Sequence, residues 1–123
     1  MLKGINHIAL IVSAEKTLDF YRKIGFVEQS RTFRQDKNDY LIMMSDDNAT
    51  LEVFLRYDAP ARHCKPEAYG CRHIAFDVES LDAVIEALKD YEQQAIRTTE
   101  SGQRFVFITD PDGQPVEFLE VKE

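Results

Sequence analysis

The sequence predicts an α+β fold in which two β-α-β-β-β modules form a curved mixed sheet. The first observation is a repeat: the run 5–10, Ile-Asn-His-Ile-Ala-Leu, returns 66 residues later as 71–76, Cys-Arg-His-Ile-Ala-Phe. The second is that Glu52 is matched 65 residues later by Glu117, again inside an apolar run. The third is the length, because 123 residues suit a single domain, 1–123.

The first module is predicted to span residues 1–56. β-branched and apolar residues predict a strand at 5–12, and Ser13 is the predicted N-cap of a short amphipathic helix that stops at Gly25. Three strands are then predicted, at 26–33, 39–45 and 50–56, with turn residues before the last one.

The second module is predicted to repeat this order over residues 71–123, after a polar, Pro-containing connector at 57–70. A strand is predicted at 71–78, and Ser80 is predicted to cap a helix with one apolar face. Further strands are predicted near 94–98, 104–109 and 115–121.

Composition restricts the classes of partner. A formal charge of −7 and a pI near 4.9 argue against a nucleic-acid surface, which needs a basic stripe. No apolar run approaches the roughly 20 residues that span a bilayer, so no membrane contact is expected. The first residues lead directly into a strand pattern without a signal peptide, and the two cysteines give no disulfide framework. We therefore expect a cytoplasmic protein.

Strand parity predicts where the repeated polar residues point. Side chains at i and i+2 share a side of a strand, so Glu52 lies with Phe54 and Arg56 while the residues between them face the core. The same alternation holds in four strands, and it predicts a concavity in which four polar groups converge. These groups belong to His7, Glu52, His73 and Glu117.

Two imidazoles and two carboxylates suit a divalent Zn, Ni, Co, Mn or Fe ion and leave two octahedral positions open, as in catalytic sites. The opposing interpretation is that the histidines are hydrogen-bonded strand residues and the glutamates are exposed. Four residues that repeat in register with equal parity favour the metal. A competing cluster is His63, Cys64, Cys71 and His73, whose spacing matches no familiar zinc motif.

Three residues are candidates for substrate binding. Arg104 precedes an apolar strand and Arg56 shares the side of Glu52, so either could bind an anionic group through a two-pronged contact. A surface arginine lying over its neighbours is an equally good interpretation of each. Phe54, between Glu52 and Arg56 on that side, is the third candidate.

Three motifs resemble the vicinal oxygen chelate superfamily, and within it the short bacterial glyoxalase-I-like proteins, the lactoylglutathione lyase family. They are His-Ile-Ala-Leu at 7–10, Gly-Cys-Arg-His-Ile-Ala-Phe at 70–76 and Asp-Pro-Asp-Gly-Gln-Pro-Val-Glu-Phe at 110–118. The resemblance implies a paired β-α-β-β-β fold and a homodimer with metal sites at its interface. It also implies a divalent ion, nickel or zinc first and cobalt, manganese or iron otherwise, held by His7, Glu52, His73 and Glu117.

In glyoxalase I the metal stabilises an enediolate formed from a small α-oxo compound or its thiol adduct. The resemblance implies that Glu117 moves the proton, helped by Glu52. Glutathione-dependent members carry Arg and Asn where this chain has Ile11 and Arg56, so the use of glutathione or another thiol stays open. The alternatives are a thiol transferase or extradiol dioxygenase of the same superfamily, and a metal-free drug-binding dimer like the bleomycin-sequestering relatives.

Overall fold

The computed structural model describes residues 1–122 and shows the predicted order of elements, a strand, a helix and three strands, twice over. Contacts divide the chain into two compact units, Met1–Pro60 and a second unit that begins at Ala61. The boundary lies inside the predicted connector 57–70. The predicted fold class is confirmed, and each unit is described by itself below.

The first unit is a four-stranded mixed sheet with one helix. Its elements are β1 (Ile8–Val12), α1 (Glu15–Lys23), β2 (Val27–Arg34), β3 (Asp39–Ser45) and β4 (Thr50–Leu55). The strand order is β1-β4-β3-β2, with β1 parallel to β4 and the other pairs antiparallel. Apolar residues from α1 and from one side of the sheet are buried together and form the core, among them Leu18, Phe20, Tyr21, Ile42, Leu51 and Val53.

The second unit repeats this plan. Its elements are β5 (Ile74–Val78), α2 (Leu81–Ala87), β6 (Arg97–Thr98), β7 (Arg104–Thr109) and β8 (Pro115–Glu120). The strand order is β5-β8-β7-β6, and β5 is again the parallel partner of the last strand. Its buried apolar residues include Leu81, Leu88, Val106, Ile108, Val116 and Phe118. No helix among residues 1–122 is long and apolar enough to cross a membrane.

The two helices begin differently. Ser80 caps α2 as predicted, because its Oγ accepts a hydrogen bond from the Ala83 N–H at 3.1 Å. The prediction that Ser13 caps α1 is wrong: Ala14 occupies the N-cap position, and its carbonyl accepts from the Thr17 N–H at 3.1 Å. Backbone contacts close that first turn, and the acidic Glu15 suits the positive end of the helix.

Both histidines lie one residue before their strands rather than inside them, so the predicted strands 5–12 and 71–78 start too early. The reason is the position at which the partner strands begin. The parallel register pairs Ile8 with Leu51 and Ile74 with Val116, each only one residue after β4 or β8 begins. The imidazoles therefore lie at the entrance to β1 and β5.

The predicted parity of the glutamates is confirmed. The side chains of Glu52 and Glu117 are 27% and 16% exposed, whereas Val53 and Val116 beside them are fully buried. Each sheet therefore has a core side and a second side that carries the glutamate. We call the second one the open side of that sheet.

Candidate functional site

In the first unit a histidine faces a glutamate without a hydrogen bond between them. His7 Nε2 lies 3.8 Å from Glu52 Oε1, and His7 Nδ1 lies 2.7 Å from the side-chain oxygen of Asn6. Because that amide oxygen can only accept, Nδ1 is the donor in this contact, which favours the tautomer whose lone pair is on Nε2. A lone pair and a carboxylate that face each other at this distance suit a cation.

In the second unit the corresponding pair is closer. His73 Nε2 lies 3.3 Å from Glu117 Oε1, and Arg72 Nη1 lies 3.1 Å from His73 Nδ1. A guanidinium can only donate, so Nδ1 is the acceptor in this contact, which favours the tautomer whose proton is on Nε2. Arg72 is itself held by Glu67 through bonds of 2.8 and 3.2 Å. The contacts of the two Nδ1 atoms therefore favour opposite tautomers of the repeated histidines.

Aromatic and basic side chains surround the second pair. Phe107 is the cross-strand partner of Glu117, and its ring meets the His73 imidazole edge-on with centroids 4.9 Å apart. The guanidinium carbon of Arg97 lies 5.0 Å from the ring centroid of Phe105 and 5.5 Å from that of Phe107. Sequence reasoning missed Arg97, because β6 has only two residues and shows no alternation.

In the first unit the open side carries an aromatic ring and a neutralised arginine. Arg34 lies over Phe54, with its guanidinium carbon 4.7 Å from the ring centroid. The same guanidinium binds buried Asp39 through two bonds of 2.7 Å and holds the pKa of that carboxyl below its usual value. Phe54 therefore shares the side of Glu52, as predicted.

The structure places the two predicted arginines on different sides. Arg56 follows β4, with its Nε 3.6 Å from Asp58 Oδ1 and 3.9 Å from Asp39 Oδ2. This Nε is buried and has no hydrogen-bond partner among residues 1–122. The charge of Arg56 is therefore balanced by two nearby carboxylates, although neither accepts a hydrogen bond from this atom.

Arg104 lies on the core side of its sheet. The register pairs Phe107 with Glu117, so Arg104 shares its side with Val106, which is buried. Its guanidinium contacts Glu120 at 3.3 Å and Asp82 at 3.2 Å. The structure therefore does not bring Arg104 to Glu117, and its binding role stays a prediction.

Each unit places one histidine beside one glutamate, and nitrogen and oxygen donors of this kind suit first-row divalent ions. Within the described chain, no group of three or more His, Cys, Asp or Glu residues could hold an ion, so neither pair completes a site by itself. The competing set at 63, 64, 71 and 73 lies entirely in the second unit and does not gather either. Cys64 Sγ instead contacts the Gly113 carbonyl at 3.4 Å, and Cys71 is exposed.

Comparison with known proteins shows the family. The model of the Glyoxalase/Bleomycin resistance protein/Dioxygenase superfamily matches residues 4–118. The uncharacterized protein YwkD of Bacillus subtilis strain 168 is 41% identical, covering 98% of each chain. The crystal structure of a glyoxalase family protein from Enterococcus faecalis has a TM-score of 0.87 and 36% identity, covering 96% of this chain and 98% of that one. The chain therefore belongs to this superfamily, which includes enzymes.

Two more distant structures share the fold alone. Lactoylglutathione lyase from Agrobacterium tumefaciens has a TM-score of 0.70 and 20% identity, covering 98% of this chain and 95% of that one. A mutant of the fosfomycin resistance protein FosX from Listeria monocytogenes has a TM-score of 0.78 and 21% identity, covering 99% and 95%. That FosX structure is a complex with Mn(II) and 1S,2S-dihydroxypropylphosphonic acid, so members of the superfamily bind divalent metal.

Proposed function

We propose that the chain is a divalent-metal-dependent lyase or isomerase of glyoxalase I type. Its substrate is a small α-oxo compound or the thiol adduct of one. The observation that carries the proposal is the repeated pair on the open side of each sheet, where His Nε2 and Glu Oε1 lie 3.8 Å apart in one unit and 3.3 Å apart in the other.

The proposed ligands of one ion are His7, Glu52, His73 and Glu117. Because each unit supplies two donors, the complete set draws on both units, of one chain or of two chains in a homodimer. Nickel and zinc suit these nitrogen and oxygen donors, as do cobalt, manganese and iron. When bound, the ion draws electron density from a substrate carbonyl and makes the adjacent C–H more acidic.

Glu117 is the proposed base that moves a proton between neighbouring carbons of the substrate, with help from Glu52. Its side chain is 16% exposed, less than the 27% of Glu52, and it lies beside Phe107 across the strand pair. An aromatic neighbour keeps bulk water from part of the carboxylate and favours proton transfer to carbon over exchange with solvent.

Phe54 and Arg56 are the proposed substrate contacts on the first sheet. Phe54 offers an apolar surface, and the guanidinium of Arg56, which lies near Asp39 and Asp58, is the proposed donor to a substrate oxygen. Ile11, which is 60% exposed, places an apolar side chain where glutathione-dependent relatives carry a charge. A thiol co-substrate, glutathione or another, would have to bind without that charge.

A lyase assay tests the proposal. Metal-free protein is reconstituted with Ni, Zn, Co or Mn, and consumption of methylglyoxal is followed with glutathione and with cysteamine. We expect activity with at least one combination, and Glu117→Gln should lower kcat by about 100-fold or more because the base is lost. Exposed Glu79→Gln is the matched control and should retain activity. No turnover with any metal and either thiol would contradict the lyase.

A mixing experiment tests whether each site is shared between chains. His7→Ala and His73→Ala chains are each expected to be inactive, since each lacks one ligand in every copy. If ligands come from two chains, mixed dimers contain one intact site and recover part of the activity. No recovery in verified mixed dimers would place all four ligands in one chain.

A further inference from the structure

Arg97 lies on the open side of the second sheet, and no acidic side chain in the described part of the chain pairs with its charge. Most arginines of the chain have a carboxylate oxygen within ion-pair distance. Among residues 1–122, Arg62 and Arg97 do not. Arg62 is occupied by the backbone carbonyls of Cys71 and Arg72, at 3.3 and 3.0 Å, whereas the guanidinium of Arg97 lies over aromatic rings.

The position of Arg97 connects it to the proposed metal ligands of the same unit. Its cross-strand partner is Phe105, so it shares the open side with Phe107 and Glu117. The ring of Phe107 contacts both Arg97 and His73, at 5.5 and 4.9 Å. The guanidinium is therefore about one aromatic ring away from the imidazole.

The contacts of Arg97 orient the guanidinium but do not neutralise it. Its guanidinium carbon lies near the ring centroids of both Phe105 and Phe107, and Nη2 donates to the neutral side-chain oxygen of Gln94 at 3.0 Å. The other four N–H donors have no partner within the described chain. A guanidinium that is held in place with free N–H donors can bind a planar or tetrahedral oxyanion through two hydrogen bonds.

The two units differ in whether the arginine on the edge strand of the sheet is paired with an acid. The edge strand of the first sheet, β2, also places an arginine over an aromatic ring, but Arg34 is neutralised by Asp39. The edge strand of the second sheet, β6, carries Arg97 with no acid beside it. In a chain with a formal charge of −7, a local positive charge next to the candidate site favours an anionic group there.

We infer that Arg97 binds a terminal oxyanion of the substrate, a carboxylate or a phosphate, while the α-oxo end of the same molecule reaches His73 and Glu117. The second half of this statement rests on the proposed function. The substrate class is thus an α-oxo compound with an anionic group at its far end. Arg97, rather than Arg104, is the residue that selects it.

Matched pairs of probes test this inference by calorimetry. Dihydroxyacetone phosphate is compared with dihydroxyacetone, and α-ketoglutarate with α-ketopentanoate, so that each pair differs only in the terminal oxyanion. Wild-type protein should bind at least one oxyanion-bearing probe about tenfold or more tightly than its partner, because a charge-assisted pair is gained. Preference in the first pair identifies a phosphate, and preference in the second identifies a carboxylate.

Two substitutions assign the preference to Arg97. Arg97→Gln should remove it, and Arg97→Lys should keep part of it because the charge remains without the fork. Arg104→Gln tests the competing candidate on the core side of the same sheet and should keep the preference, while exposed Lys89→Gln in the same unit is the control for the loss of one positive charge. Thermal unfolding verifies that each variant is folded, as expected for Arg97, whose side chain is exposed.

Four results would overturn the inference. They are no binding of either oxyanion-bearing probe, equal affinities within both pairs, a preference that survives Arg97→Gln, and a preference that only Arg104→Gln removes. All titrations are run on metal-free and on zinc-loaded protein. Probe affinities that do not respond to zinc would count against the proposed function, while the Arg97 comparison within either state still decides the inference.

Discussion

Replacing Asn6 by alanine should weaken binding of a divalent ion. The Asn6 side-chain oxygen lies 2.7 Å from His7 Nδ1 and keeps the proton there, which leaves Nε2 free to bind metal. Such a hydrogen bond contributes about 0.5–1.5 kcal/mol, and 1.4 kcal/mol corresponds to about a tenfold change in affinity. Because the pair is exposed, we expect a loss in the lower part of this range, about two- to fivefold.

The residue before the other histidine should act in the opposite direction. Arg72 donates to His73 Nδ1 at 3.1 Å and so keeps a proton on Nε2, the nitrogen that faces Glu117. Arg72→Ala removes that donor and also a positive charge near the ion. We therefore expect metal affinity to rise, by up to about tenfold.

Competition titrations of Zn or Ni against a chromophoric chelator at fixed pH measure both effects. Asn48→Ala is the matched control, since Asn48 is an exposed asparagine in a turn of the same unit as Asn6. Equal affinities in wild type, Asn6→Ala and Arg72→Ala would refute the tautomer reasoning. A loss of affinity in Arg72→Ala alone would reverse the assignment.

Three further predictions concern stability. Ser80→Ala should lower the free energy of unfolding in urea by about 1 kcal/mol, because the Ala83 N–H loses its acceptor, and no change would contradict the cap. Phe118→Ala should cost about 3–5 kcal/mol in the same assay, since Phe118 is 1% exposed; a cost near zero would mean that it is not in a packed core. Arg34 lowers the pKa of Asp39 in the folded chain. The ion pair therefore stabilises the folded chain at pH values above the ordinary pKa of 3.8, and this stabilisation is lost as the pH falls through and below that value. Asp39→Asn should therefore flatten the acid side of the stability curve, and identical acid unfolding of the two proteins would count against it.

The parts of the fold that depend on local patterns could be predicted from the sequence. The apolar stripe Leu51, Val53 and Leu55 permits only one side of β4 to face the core, and this fixed the open-side position of Glu52. The repeat then gave the matching position of Glu117. Ser80 is recognisable as a cap because it stands directly before an apolar helical face.

The parts that depend on pairing between distant strands could not be predicted. The strands begin at Ile8 and Ile74 because of where their partner strands begin, and the apolar pattern alone extends both strands over the histidines. The side of the sheet that Arg104 faces depends on the strand register, because a shift of one residue would move every side chain to the opposite side. Arg97 lies on a two-residue strand, and only the folded chain shows its contact with Phe105.

The metal content of protein purified without chelators tests the central claim most directly. One divalent ion per complete set of four ligands is expected in wild type. Glu52→Ala and His73→Ala, one ligand from each unit, should each abolish binding, while Cys64→Ser should leave it intact. Metal content that is unchanged by both ligand substitutions would contradict the account.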